Sequence, residues 1–146
     1  MNPLLQAQLE DARAAGIYQL PINGRILVRQ AAEAGGLVCF EVDLAGVDDL
    51  ESALAALGWG LDFPEWYGQN LDALYDCLTD FSWCEAAGYV LLLLHVETLH
   101  TAEPEAFQAL HDVFTAASDD WRTQDCPFWV FFDLEREGLP TLAIPA

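Results

Sequence analysis

Three aspartates recur at four-residue intervals in the middle of this sequence, at Asp72, Asp76 and Asp80, with no Lys or Arg between them. An ionised carboxylate only accepts hydrogen bonds, and its two oxygens suit the parallel N–H groups of an arginine side chain. On a helix, residues four apart share a face, where each like-charged pair costs about 0.2–0.5 kcal/mol. Stability alone explains this spacing poorly, and the pattern favours a face that binds cationic groups.

Paired carboxylates are also the catalytic groups of glycosidases and of metal-dependent hydrolases. Here no His lies near Asp72 or Asp76 in sequence, and the chain lacks a Gly-rich phosphate loop, Gly-x-Ser-x-Gly and His-Glu-x-x-His. The Cys and His residues show no metal-ligand spacing; they are Cys39, Cys77, Cys84, Cys126, His95, His100 and His111. The sequence therefore predicts no enzyme, no cofactor, no metal site and no small-molecule substrate.

The aspartates fall on a predicted helix that begins after Asn70, a residue type favoured at helix N-caps. The apolar face of this helix carries Leu71, Leu74, Leu78 and Phe81, and the opposite face carries Asp72, Tyr75, Asp76 and Thr79. Pro64 and Gly68 shape the preceding loop, on which Trp66 and Tyr67 add aromatic surface. Two interpretations fit these residues: a protein-binding face, or a solvated acidic helix whose neighbouring aromatics anchor the loop to the core.

The charge of the whole chain limits the class of partner. There are 24 Asp and Glu against 5 Lys and Arg, all of them Arg, for a formal net charge of −19, and no Lys or Arg occurs from residue 30 to residue 121. Nucleic acids and anionic membranes are excluded as partners because they recruit positive charge. A basic protein is the predicted partner. No apolar run reaches the roughly 20 residues of a membrane span, and we expect a soluble, cytoplasmic protein.

Apolar periodicity predicts a small α/β domain. Strands are predicted at Leu37–Leu44, Tyr89–Val96 and Pro127–Leu134, the last two apolar on both faces, as in parallel sheets. Helical stripes lie between them, one ended by Gly58 as a C-terminal cap, and one opened by Thr101 with Pro104 in its first turn. The predicted architecture is a three-stranded parallel sheet packed against helices.

The first 36 residues are predicted as an N-terminal helical elaboration, packed on a single globular domain of residues 37–146. A short helix would close at Gly16, and residues 17–20 favour a strand. Asn23-Gly24 is typical of a hairpin turn, but the helix pattern from Arg25 to Ala34, ended by Gly35-Gly36, is the favoured interpretation.

The run from residue 63 to residue 79 resembles the signature of the barstar family, the intracellular inhibitors of barnase-type ribonucleases. It reads Phe63-Pro-Glu-Trp-Tyr-Gly-Gln-Asn-Leu-Asp-Ala-Leu-Tyr-Asp-Cys-Leu-Thr79. A looser resemblance extends from residue 37 to residue 134, and the whole chain resembles the longer bacterial variants. The resemblance implies a barstar-like fold and a cytoplasmic antitoxin or immunity protein that plugs the active site of a basic ribonuclease.

The resemblance also implies roles for individual residues. Asp76 would be the principal anchor, standing where a substrate phosphate would lie, and Asp72 would take a second cationic group at the rim. Trp66 would pack on a catalytic histidine of the nuclease, and Tyr75 would keep a broad aromatic contact. The predicted binding residues are Trp66, Tyr67, Gly68, Asn70, Asp72, Tyr75, Asp76, Thr79 and Asp80.

One position departs from the family pattern. Where the prototype has a further inhibitory glutamate on a later helix, this chain has Ala116, and Asp119 or Asp120 is the candidate to replace that glutamate in part. The departure implies a cognate nuclease different from barnase. The alternative function is an acidic adaptor or regulator that keeps the barstar scaffold and binds a non-nuclease partner.

Overall fold

The computed structural model describes residues 2–21, 23–134 and 138–142. In chain order the elements are α1 (Pro3–Leu9), β1 (Ile17–Gln19), α2 (Arg25–Ala34), β2 (Val38–Asp43), α3 (Leu50–Gly60), α4 (Leu71–Leu78), β3 (Tyr89–Leu94), α5 (Glu97–Ala102), α6 (Pro104–Thr123) and β4 (Phe128–Phe132). Over these residues the predicted mixed α/β class is confirmed.

The strands form one parallel sheet in the order β1-β4-β3-β2. The predicted three-stranded sheet is therefore wrong, because the described residues form four strands and the fourth comes from the N-terminal segment. The strand favoured at residues 17–20 does form, as β1, but its partner β4 lies more than 100 residues away in the chain, so local sequence did not indicate that β1 joins the sheet. The hairpin alternative is also wrong, since residues 25–34 form α2.

Each face of the sheet is covered by helices, as expected for strands that are apolar on both sides. In β3 every residue is buried, and alternate residues face opposite layers. Leu91 and Leu93 face a core formed with α3, α4 and α6, whereas Val90 and Leu92 face a core formed with α1 and α2. Leu74 and Leu78 of α4 belong to the first of these two cores.

Three predicted helix ends are misplaced. The first helix was predicted to close at Gly16, but α1 ends at Leu9. Gly58 lies inside α3 and does not cap it, because the helix continues to Gly60. Thr101 lies within α5, and α6 begins at Pro104 after Glu103. Pro104 does occupy the first turn, as predicted. Within the described ranges, no helix is both long enough and apolar enough to cross a membrane.

Candidate protein-binding face

Hydrogen bonds at both ends fix α4. Asn70 Oδ1 accepts from the Ala73 amide at 2.8 Å, so the predicted N-cap is confirmed. Gly68 lies in the exposed loop before it, where its carbonyl accepts from Asn70 Nδ2 at 3.5 Å. At the other end, the Thr79 hydroxyl donates to the Tyr75 carbonyl at 2.9 Å. An eight-residue helix is marginal alone, and these caps help define where it begins and ends.

Packing fixes the rotation of α4 about its axis. Leu74, Leu78 and Phe81 have no exposed surface, and Leu71 is half-buried against the same core. The Trp121 indole of α6 donates to the Leu78 carbonyl at 2.7 Å, which satisfies an acceptor at the end of α4. The predicted apolar face is therefore confirmed, and the opposite face of α4 points away from the core.

Asp72 and Asp76 are exposed on that outer face. Asp80 is exposed too, but α4 ends at Leu78, so Asp80 follows the helix and does not continue its stripe. Among the residues that the structure describes, none of the three aspartates has a cationic nitrogen within salt-bridge distance. The carboxylates are therefore open to an external cation.

The two loop aromatics have different environments. Trp66 is 57% exposed. Tyr67 is half-buried: its hydroxyl donates to the Leu54 carbonyl of α3 at 2.9 Å, and its ring meets Phe63 edge-on with centroids 4.8 Å apart. Burial raises the pKa of Tyr67 to about 12. Tyr67 anchors the loop, and Trp66 offers the larger aromatic surface.

A glycine makes the Tyr67 anchor possible. A Cβ built on Gly58 would lie 2.6 Å from Tyr67 Cε2, closer than non-bonded carbons tolerate. The ring therefore lies directly on the α3 backbone. Gly58, read from the sequence as a helix cap, instead allows the loop to pack on α3.

Trp83, which the sequence analysis did not identify, supports Trp66. The two indoles meet edge-on with centroids 6.2 Å apart, and Trp83 also contacts Phe63 and Phe81. Edge-to-face aromatic pairs add about 0.5–1.5 kcal/mol beyond simple burial. No local spacing relates residue 83 to residue 66, so only the density of aromatic residues in this part of the chain could have suggested the contact.

Tyr75 is half-buried on α4 and reaches α6. Its hydroxyl donates to a carboxylate oxygen of Asp120. The neighbouring Asp119 accepts from Arg122 at 2.6 Å, and Ala116 is exposed one turn before Asp120. Asp119 and Asp120, the two acids that follow Ala116, are thus already engaged inside the molecule.

The geometry suits recognition of a basic surface. Exposed carboxylates on a fixed helix can accept charge-assisted hydrogen bonds, and the adjacent indole can pack on a flat or cationic group. In residues 2–21, 23–134 and 138–142, no three His, Cys, Asp or Glu side chains are arranged to hold a metal ion.

Comparisons with known proteins agree with this description. Residues 37–133, about two thirds of the chain, match the family model described as Barstar (barnase inhibitor). This range includes α4 and the loop before it. A 19-residue stretch is also 79% identical to part of the Bacillus subtilis (strain 168) protein named "Putative ribonuclease inhibitor YrdF". The stretch is 13% of this chain and 21% of that protein, so the match spans about a fifth of the curated relative's length.

Proposed function

The chain belongs to the barstar family, and from that premise we propose that it inhibits a basic ribonuclease by inserting α4 and the preceding loop into the enzyme's active site. The observation that carries the proposal is the pair Asp72 and Asp76. Both are exposed, they lie one helical turn apart, and neither makes an ion pair with a described residue.

A ribonuclease active site attracts phosphates with Arg, Lys and His groups. In the proposal, the Asp76 carboxylate takes the place of a substrate phosphate among those groups. Asp72, one turn nearer the N-terminus of α4, meets a second cation at the rim. Because the core and the caps already fix α4, little conformational entropy is lost when these carboxylates bind.

Trp66 packs against the rim of the enzyme in this proposal, and Tyr75 and Thr79 contribute contacts beside Asp76. Tyr67, Gly68 and Asn70 fix the loop that carries Trp66. Asp80, just past the helix, adds negative charge at the edge. Since Ala116 offers no carboxylate, we propose a cognate nuclease that differs from barnase at the corresponding contact.

A cytoplasmic immunity role completes the proposal. An inhibitor kept inside the producing cell would protect its RNA from a nuclease made in the same cell. The division of the chain into an extension of residues 1–36 and a domain of residues 37–146 remains a prediction.

Affinity capture followed by an activity assay tests the proposal. Immobilised protein is exposed to lysate and culture medium of the source cell, and retained proteins are identified by mass spectrometry. Asp76→Ala is the test variant, and Asp43→Ala, which removes an exposed acid at the end of β2, is the control. We expect the wild type and the control to retain a nuclease that Asp76→Ala loses.

The captured nuclease is then assayed for RNA cleavage with increasing inhibitor. Stoichiometric loss of cleavage with the wild type supports the proposal. Retention of a basic protein without nuclease activity, lost in the same way with Asp76→Ala, would instead support the adaptor function.

A further inference from the structure

The two edges of the sheet differ in how they are covered. Along β1, the Gln19 amide donates to the Pro140 carbonyl at 2.6 Å, and Gln19 forms a parallel bridge with Thr141. Along β2, no further strand of the described residues pairs. An uncovered edge presents unpaired backbone groups to any chain that can align with it. β2 is therefore the edge at which another strand can join the sheet.

The register of β2 identifies the unpaired backbone groups. The amides of Val38 and Leu44 donate to carbonyls at or next to the two ends of β3, at 3.0 and 2.8 Å. Because the backbone groups of alternate residues point to opposite sides of a strand, the odd-numbered residues point away from β3. In the part of the chain that the structure describes, no hydrogen bond reaches their backbone groups. We call these groups the β2 edge; they belong to Cys39, Glu41 and Asp43.

Acidic side chains along the β2 edge are already paired within the molecule. Glu41 accepts from Arg25 and Arg29, and Asp43 Oδ1 lies 2.7 Å from His95 Nδ1. Arg29 also lies 3.8 Å from a glutamate of its own helix. A net charge of −19 makes two copies of this chain repel each other. Paired acids lower that repulsion, so the β2 edge suits the approach of a second copy.

An exposed aliphatic side chain lies beside the β2 edge. A groove of about 540 Å³ runs between α2 and β2 and is lined by Asn23, Arg25, Ile26, Arg29 and Glu41. Ile26 is 66% exposed. Covering such a side chain with another protein removes apolar surface from water and stabilises the contact. The groove thus adds apolar surface next to the unpaired backbone groups.

We propose that the β2 edge pairs in antiparallel fashion with the β2 edge of a second copy, which joins the two four-stranded sheets into one. A two-fold axis beside Glu41 makes this edge its own complement, as a symmetric dimer requires. Each Glu41 lies opposite its counterpart, and the Arg25 and Arg29 side chains of both copies offset the charges of the two carboxylates. Cys39 lies opposite Asp43 of the second copy.

The dimer is independent of the proposed function. None of the residues at the β2 edge or in its groove belongs to the outer face of α4. Each copy therefore keeps its own α4 residues for a ribonuclease. The two proposals are tested by different measurements, and either can fail alone.

Amide hydrogen exchange, followed by NMR at increasing concentration of the full chain, tests the strand pairing. We expect the Cys39, Glu41 and Asp43 amides to exchange fast in the monomer. Their exchange should slow about tenfold when nine-tenths of the chain is dimeric, since only the monomer exposes them. Phe40 and Val42 face β3, so their amides are the internal control and are expected to be protected at every concentration. Equal behaviour of the two sets of amides would overturn the pairing.

Ile26→Glu is the test variant, and Leu4→Glu is its matched control. Both residues are exposed aliphatic side chains on helices, at 66% and 61%, so each variant adds one negative charge at similar exposure. Leu4 lies on α1 and does not line the groove. By sedimentation equilibrium, we expect Ile26→Glu to raise the dimer Kd at least about tenfold, because a symmetric dimer contains the change twice, and Leu4→Glu to stay within about threefold. Equal increases would overturn the assignment of the interface.

Salt and the captured ribonuclease separate the remaining outcomes. Because salt screens the repulsion between two acidic chains, we expect the dimer Kd to fall at least about twofold from low to physiological ionic strength. A chain that stays monomeric at every concentration and salt would overturn the proposal. Protection of the Cys39, Glu41 and Asp43 amides that requires the captured ribonuclease would assign the β2 edge to that enzyme and would also overturn it.

Discussion

Acidic side chains have different surroundings on two sides of this molecule. On the side formed by α2 and β2, Glu41 accepts from both Arg25 and Arg29. On the outer face of α4, Asp72 and Asp76 have no cation within reach among the described residues. The same chemical group therefore has a structural role where the chain supplies the cation, and it remains open to a partner where the chain does not.

The placement of the arginines produces this difference. Three of the five occur before residue 30, and the remaining two occur after residue 121. The N-terminal segment brings Arg25 and Arg29 to the β2 edge of the sheet, while α4 receives none. Residues 30–121 contain no Lys or Arg, so the acids on the α4 side lack counter-charges from this part of the chain. We therefore expect a negative electrostatic potential on that side, and such a potential raises association rates with a basic partner.

The largest expected effect is the loss of binding caused by Asp76→Ala. We expect the free energy of binding to the captured ribonuclease to weaken by about 3–5 kcal/mol, because truncating one partner of a buried, hydrogen-bonded charge pair costs about 2–5 kcal/mol or more. Asp43→Ala removes the same charge from the β2 end, and we expect its Kd to stay within about twofold of wild type. Isothermal titration calorimetry measures both.

The stability of Asp76→Ala is the control for that comparison. Asp76 is exposed and unpaired among described residues, so the free energy of unfolding of the variant, measured in urea, is expected to be no lower than that of the wild type. A wild-type Kd for Asp76→Ala at physiological salt would show that the α4 face is not the binding face.

The second effect concerns the rate of association. Because the acids on the α4 side are uncompensated, we expect the association rate constant to fall about tenfold between low and physiological ionic strength. Asp72→Asn is expected to flatten this dependence, and Glu41→Gln, at a position already neutralised by two arginines, to change it little. Stopped-flow tryptophan fluorescence measures the rates. A rate constant that is independent of salt would contradict electrostatic steering.

The third effect is on stability, and its sign differs between the two sides. Glu41→Gln removes the carboxylate that Arg25 and Arg29 share and leaves Arg29 with Glu33 alone, and we expect the free energy of unfolding to fall by about 1 kcal/mol. Asp76 lies toward the negative end of the α4 dipole and is repelled by Asp72. Asp76→Asn removes both unfavourable interactions, so we expect the free energy of unfolding to rise by about 0.3 kcal/mol. Urea unfolding measures both changes. A loss of stability for both variants would remove the distinction between paired and unpaired acids.

Local sequence patterns predicted the parts of the site that depend on local physics. The 3–4 residue spacing of Leu71, Leu74 and Leu78 predicted which face of α4 is buried. The side chain of Asn70, a type favoured at N-caps, predicted where the helix begins. The apolar runs gave β3 and β4. In each case the determining interactions lie within a few residues or in one repeating pattern.

Contacts between distant segments could not be predicted in this way. The bond from Tyr75 to Asp120 joins residues 45 positions apart, and the placement of Tyr67 on Gly58 depends on how the loop folds back on α3. The pairing of β1 with β4 is more distant still. Such contacts are set by tertiary packing. Gly58 allows one of them, but in the local sequence a glycine at this position is typical of a helix end.

The smallest expected effect is a pH dependence of the free energy of unfolding. It arises at the end of β2, where His95 Nδ1 lies 2.7 Å from Asp43 Oδ1. The hydrogen bond to Asp43 raises the pKa of His95 above its ordinary 6.5, and the bond from His95 lowers the pKa of Asp43 below its ordinary 3.8. The His95 contribution to stability is complete below the unfolded histidine pKa and is lost as the pH rises through the folded pKa. The Asp43 contribution is present above the unfolded aspartate pKa and is lost on acidification, so the pair stabilises most between about pH 4 and 6.5.

NMR titration of the His95 ring measures this pKa, which we expect to be raised in the wild type. We expect Asp43→Asn to lower the pKa of His95 and Asp76→Asn to leave it unchanged. If both variants change the pKa of His95 equally, that pKa depends on the net charge of the protein and not on the hydrogen bond to Asp43. Asp43 would then be no more specifically paired than the aspartates of the α4 face.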